Sequence, residues 1–169
     1  TSGKTLWELQ ETNAKGQVKR ARLGAAEVNN TYDANNFLSN VSHVNTGNGA
    51  TLLQLGYSFN AIKNELNSRT RGGDLNIIET FTYDDNNRLV NWTNPKTGNM
   101  SFNTYDEKGR ITENDQVGHI KFENTQSVYR PSGTELNVAG EQNYLNNLIQ
   151  QISYNENNDP IFIDGEKGD

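Results

Sequence analysis

The sequence predicts an all-β fold, an antiparallel ribbon of β-hairpins in which a unit of two strands and two turns recurs along the chain. Three observations carry this expectation. Aromatic anchors stand at near-constant spacing, with Trp7, Tyr32, Tyr57, Tyr83, Tyr105, Tyr129 and Tyr154 being 25, 25, 26, 22, 24 and 25 residues apart. Four positions after an anchor, with Thr12 replacing tyrosine in the first copy, comes glycine or asparagine: Gly16, Asn36, Asn87, Gly109, Gly133 and Asn158. These residue types enter the left-handed backbone region at least cost. Runs such as Phe81-Thr82-Tyr83-Asp84 and Ile152-Ser153-Tyr154-Asn155 alternate apolar and polar residues, as a half-buried strand does.

The best-formed copy is Thr104-Tyr105-Asp106-Glu107-Lys108-Gly109-Arg110-Ile111. Tyr105 suits a strand, Asp106 accepts from backbone N–H groups two residues on, and Gly109 tolerates a positive φ. Arg110 and Ile111 then restart the alternation. The stretch reads as a hairpin tip, a type I turn closed by a left-handed residue.

In chain order, strands over 6–12 and 18–23 flank the first turn, and strands over 28–33 and 37–44 flank Tyr32-Asp33-Ala34-Asn35-Asn36. Strands over 52–60 and 66–71 follow, then 76–84 and 88–93 around Tyr83-Asp84-Asp85-Asn86-Asn87, and 100–106 and 111–114 around Asp106. Further strands are expected over 118–124, 126–129 and 135–138, beside a degenerate copy at Tyr129-Arg130-Pro131-Ser132-Gly133. The last pair, 149–154 and 161–164, flanks Tyr154-Asn155-Glu156-Asn157-Asn158. Opposite turns are glycine-rich, at Gly24, 46–49, 71–73, 94–99, Gly118 and Ala139-Gly140. Tyr144, Leu145, Leu148, Ile149 and Ile152 have helical spacing, which admits a short helix near 141–150.

Composition narrows the class. Of 169 residues 32% are hydrophobic, and the net charge is −6. Leu, Ile, Val and Phe make up about a fifth of the chain, near the composition at which chains stop folding. The low charge and the periodic placement argue for order, and a sheet with one packed and one wet face fits better than a two-sided core. The 27 asparagines cluster at the expected turns, where their side chains bond local backbone. The four Asn-X-Ser/Thr sequons, at Asn29, Asn40, Asn91 and Asn99, follow from that excess.

Cysteine is absent, which excludes a disulfide framework, a thiolate metal site and a cysteine nucleophile. The acidic balance, 21 Asp and Glu against 15 Lys and Arg, argues against nucleic acid as a partner. Lys15, Lys19, Arg20 and Arg22 read as a solvated strand. No hydrophobic run reaches membrane-spanning length, and no signal peptide is visible. Both termini read as cuts, so the expectation is a single segment, residues 1–169, of about seven repeats from a longer chain.

With these residues in view, the chain resembles the RHS or YD-repeat proteins, which carry recurring motifs of the form Tyr-Asp-x-x-Gly-Arg-Leu. Tyr105 to Ile111 matches nearly in full, Tyr83-Asp84-Asp85-Asn86-Asn87-Arg88-Leu89 has Asn for Gly, and Tyr32-Asp33-Ala34-Asn35-Asn36-Phe37-Leu38 also lacks the Arg. Leu6-Trp7-Glu8, Arg22-Leu23-Gly24, and Tyr57-Ser58-Phe59-Asn60 followed by Asn67-Ser68-Arg69 are similar to the family as well.

The resemblance implies a hairpin ribbon that spirals into a hollow shell, as in bacterial toxin-complex subunits, polymorphic toxins and teneurins. Bacterial versions enclose a C-terminal toxic domain. It further implies a non-enzymatic structural segment of an exported bacterial protein, secreted or at the cell surface, whose partners are the other repeats of the parent chain and an enclosed toxin domain. The motif residues it marks are Tyr32, Asp33, Asn36, Tyr83, Asp84, Asn87, Arg88, Tyr105, Asp106, Gly109, Arg110, Tyr129, Gly133, Tyr154 and Asn158. About seven repeats are too few to close a shell, and no counterpart of the family's self-cleaving terminal segment is present. Neither encapsulation nor cleavage therefore transfers to named residues. The alternative is a repeat scaffold for cell-surface adhesion, binding a glycan or a protein.

Candidate chemistry is sparse. The carboxylate pairs Asp84-Asp85 and Asp106-Glu107 fall in wet turns, where capping is the expected role. His43 and His119 are isolated and make no triad or ligand set. No cofactor is expected. Structural calcium is the alternative, because 84–87, 155–159 and Asp164-Gly165-Glu166 gather oxygen donors, although none has EF-hand spacing. The tyrosines read as rungs of the sheet rather than sugar-stacking platforms.

Overall fold

The computed structural model describes residues 5–73, 75–144, 149–157 and 159–165. The chain forms two compact units, one ending at Met100 and the other beginning at Ser101.

The first unit is an antiparallel meander of β1 (Trp7–Thr12), β2 (Val18–Leu23), β3 (Ala26–Tyr32), β4 (Leu38–Asn45), β5 (Thr51–Asn60), β6 (Glu65–Gly72), β7 (Ile77–Tyr83) and β8 (Leu89–Thr93). Each strand pairs with the next in sequence. Residues directly opposite share a face, so the register sorts the side chains. One face carries the rows Leu9, Ala21, Val28, His43, Leu53 and Val41, Leu55, Arg71, Ile77. The other carries Arg20, Asn29, Ser42, Gln54, Gly72 and Asn40, Gly56, Thr70, Ile78.

The sheet is single-layered. Among the described hydrophobic residues only Ala21 and Ala26 are buried, and most apolar side chains are half-covered by row neighbours. This is how a chain poor in Leu, Ile, Val and Phe still folds: each repeat supplies partners for the next.

The second unit contains β9 (Met100–Tyr105) from Ser101 onward, β10 (Ile111–Asn114), β11 (Gly118–Lys121), β12 (Gly133–Leu136), α1 (Val138–Asn143), β13 (Ile149–Tyr154) and β14 (Pro160–Gly165). Strands β9 to β12 pair consecutively, whereas β13 and β14 form a separate two-stranded sheet.

Four expectations are corrected here. Residues 126–129 form no strand; 122–132 is an irregular excursion between β11 and β12. Gly133 lies outside the left-handed region and opens β12, and Tyr129 is 68% exposed, so Tyr129–Gly133 is not a copy of the turn. Ala139-Gly140 lies inside α1 rather than in a turn. The helix itself starts earlier than 141 because Asn137 caps it, its Oδ1 accepting the Gly140 N–H at 2.7 Å. Residues 145–148 of the expected helix lie outside the described residues, and 149–150 belong to β13.

Candidate functional site

The feature repeated along both units is the turn that follows each odd-numbered strand except β11. At Asp33, the side-chain Oδ1 accepts the N–H of Asn35 at 2.8 Å and of Phe37 at 2.9 Å. The backbone closes the same loop, Asn36 N–H donating to the Asp33 carbonyl and Asp33 N–H to the Phe37 carbonyl. Asp84 accepts from Asn86 and Arg88, Asp106 from Lys108 and Arg110, Asn13 from Lys15 and Gln17, and Asn155 from Asn157 and Asp159, all at 2.9 to 3.0 Å. One acceptor thus organises each five-residue loop, which is why aspartate or asparagine must stand there.

The fourth loop residue has a positive φ: +79° at Gly16, +71° at Asn36, +58° at Asn87 and +79° at Gly109. Asn158 lies outside the described residues. Replacing Gly109 with valine should cost about 2 kcal/mol, since a β-branched residue is strained at that φ. Asp85→Ala, at an exposed loop position, should stay within about 0.5 kcal/mol of wild type. Equal melting shifts for the two variants would contradict the assignment of the loop.

Where the loop ends in arginine, the second carboxylate oxygen is used too. Arg88 places Nε at 2.7 Å and a terminal nitrogen at 2.6 Å from Asp84 Oδ2. Arg110 does the same to Asp106 Oδ2, with both nitrogens at 2.6 Å. Arg110 also lies over the Phe122 ring, 4.5 Å from its centroid, and donates to the Val128 carbonyl. No sequence expectation pairs these arginines, and the signal for the pair is the fixed offset of four residues from the aspartate.

Tyrosine ends the strand before the loop and bolts it backwards. The Tyr32 hydroxyl donates to the Val18 carbonyl at 2.9 Å, and Tyr83 to the Leu66 carbonyl at 3.1 Å. Each reaches the strand that leaves the preceding loop. A sixth loop, missed in the sequence, joins β5 to β6: Asn60 Oδ1 accepts the Ile62 N–H at 3.1 Å, and Asn64 has φ +57°. All six hairpins also slip register beside the loop, leaving Lys19, Ser39, Asn67, Val90, Thr112 and Ile161 without a direct partner.

The carboxylates are set by these contacts. The Arg88 guanidinium holds Asp84 below the usual range, against burial, with help from the Arg88 and Asn86 N–H groups. Burial pushes Asp106 up, but the Arg110 N–H and guanidinium outweigh it. Asp115 is likewise lowered: burial raises it, while Gln116 and the Phe102 N–H prevail.

A carboxyl that is more acidic folded than unfolded contributes stability above its unfolded pKa and loses it as pH falls through the folded one. Melting temperature should therefore hold steady from about pH 8 to 5 and drop below about pH 4. Asp84→Asn with Asp106→Asn should flatten that drop, and a wild-type profile unchanged down to about pH 3 would refute the linkage.

Among the described residues no group of three or more His, Asp or Glu is placed to hold a metal ion. Of the calcium stretches, Asp84 and Asn155 spend their oxygens on the loops, and Glu166 lies outside the described residues. His43 and His119 stand mid-strand, His119 opposite Glu113 and Glu135.

The family model described as RHS Repeat matches residues 83–115, which hold the Asp84 and Asp106 loops. Residues 83–115 carry an RHS repeat. Two solved structures similar to the RHS-bearing chain share its fold: the Photorhabdus luminescens Tc holotoxin pore with the TccC3-D651A mutation, at a TM-score of 0.58, and the TcdB2-TccC3-Cdc42 complex, at 0.56. Each is 16% identical, covering 89% of this chain and 9% of the other. The RHS chain thus spans about a tenth of the length of these similar chains. A search of curated proteins by sequence gave no match. Among the described residues no helix is long and apolar enough to cross a membrane.

Proposed function

We propose that residues 1–169 are one stretch of about seven repeats in the wall of an exported bacterial RHS protein, and that this wall encloses or presents a C-terminal toxic domain. The observation that carries the reading is the recurrence of one loop with one set of bonds in five hairpins, and of one register slip beside the loop in those five and in β5–β6. A bulge at a fixed place adds twist of the same hand each time. A ribbon built that way turns steadily, as a wall must.

In this reading the Tyr, Asp, Gly or Asn, and Arg positions hold the wall and carry no catalysis. The partners are neighbouring repeats and the enclosed domain, and the protein acts outside the cell or at its surface. Likeness to structures containing TccC3 supports it through shared fold.

Limited proteolysis of the native full-length parent, read by intact mass, tests it. A C-terminal fragment that survives and becomes cleavable only on denaturation is expected. Digestion of that region while the repeats persist would overturn enclosure and favour a scaffold displaying a surface-binding face.

A further inference from the structure

Among the described residues the hairpin β13–β14 shares no strand pairing with β9–β12. A lone two-stranded ribbon is marginal in water, so its position depends on what holds it. Its turn end is rigid: Asn155 Oδ1 accepts from Asn157 and Asp159 at 2.9 Å, and Asn155 Nδ2 donates to Asp159 Oδ2 at 3.0 Å. Tyr154 stands at that end, and the Arg130 guanidinium carbon lies 3.9 Å from the centre of its ring.

Arg130 is itself held in place. It belongs to the 122–132 excursion, where Arg130 N–H donates to the Ser127 carbonyl, Ser132 N–H to the Lys121 carbonyl, and Glu123 N–H to Ser132 Oγ. Both members of the pair are half-buried, the setting in which a cation over an aromatic face is strengthened by desolvation. Ile161 and Phe162 of β14 remain 66% and 44% exposed, so these two side chains do not bind the hairpin to a core.

We propose that Arg130 and Tyr154 form a latch, and that β13–β14 is a flap that opens as a unit by releasing its turn end while β9–β12 stays folded. The stapled turn makes the hairpin follow Tyr154 rather than fray. In a wall of RHS repeats such a flap is a place that opens without unfolding. That use rests on the wall reading, whereas the latch does not.

Amide hydrogen exchange on the 169-residue chain tests it. The β13 and β14 amides should exchange at a common rate in wild type. Tyr154→Leu should speed them about five- to ten-fold with β9–β11 unchanged, the size expected for a partly desolvated cation–ring contact. Tyr154→Phe keeps the ring and should keep the protection. Arg130→Ala combined with Tyr154→Leu should add nothing to the single change. A hairpin rate untouched by Tyr154→Leu, acceleration of β9–β11 by the same factor, or additive effects in the double variant would each overturn the latch. Failure of the parent protein to shield a C-terminal fragment would sink the wall and leave this result standing.

Discussion

Gly118→Ala should destabilise the second unit by about 3 kcal/mol or more. Gly118 has φ +121°, outside what an L side chain tolerates. A Cβ there would stand 2.2 Å from the Glu135 carbonyl oxygen, 2.6 Å from Asn137 N and 3.1 Å from the Leu136 carbonyl carbon. All three are backbone atoms, so no side chain can swing aside. They are also fixed, because Gly118 pairs with Leu136 in the β11–β12 ladder. Asn137 N–H donates to the Val117 carbonyl at 3.1 Å, and its Nδ2 donates to the Asp115 carbonyl at 3.0 Å. Relief would require parting the β10–β11 turn from the start of α1.

Gly133→Ala is the control. Its φ is ordinary and a Cβ would meet nothing within 4 Å, so a change under about 0.5 kcal/mol is expected. Urea unfolding followed by circular dichroism compares them. A Gly118→Ala midpoint matching that of Gly133→Ala would show that the two segments are not locked together.

The loops were legible because their chemistry is local. An acceptor at the first position and a residue able to take positive φ at the fourth lie within five residues, and the sequence displays both. Tyr129–Gly133 misled for a reason the same chemistry supplies: Arg130 occupies the acceptor's place and has no oxygen to organise the loop. Asn60 to Asn64 escaped because the left-handed residue falls one position later than elsewhere. The helix starts earlier than the apolar spacing of 144–152 implies because its start is set by the cap, Asn137. The tyrosine bolts and the Gly118 contact span strands, and their partners are fixed by register. No spacing along the chain reveals register, so these could be read only from the fold.

The pairing of Arg69 with Glu79 is the clearest case, and breaking it should cost as much as valine at Gly109. Glu79 is 6% exposed on the apolar face, directly opposite Arg69, which is in turn opposite Tyr57. Arg69 Nε sits 2.6 Å from one carboxylate oxygen and a terminal nitrogen 2.9 Å from the other. The bond to Glu79 raises the Arg69 pKa, against burial. Arg69→Met strands a buried carboxylate, and since the arginine is itself half-exposed the loss should be about 2 kcal/mol rather than the full cost of a deep pair.

Arg69→Met with Glu79→Met should recover most of that stability, because two apolar side chains of similar volume replace two desolvated charges. Urea midpoints for the two single variants and the double variant give the coupling, and a double variant as weak as Arg69→Met would contradict the account. What the double variant should lack is uniqueness. A slip of one residue between β6 and β7 sets Glu79 against Ser68 or Thr70 and turns every side chain of one strand to the wrong face. The fork of Arg69 penalises that slip in a way methionine does not, so the amide resonances of β6 and β7 should broaden or double in the double variant while its melting temperature stays near wild type.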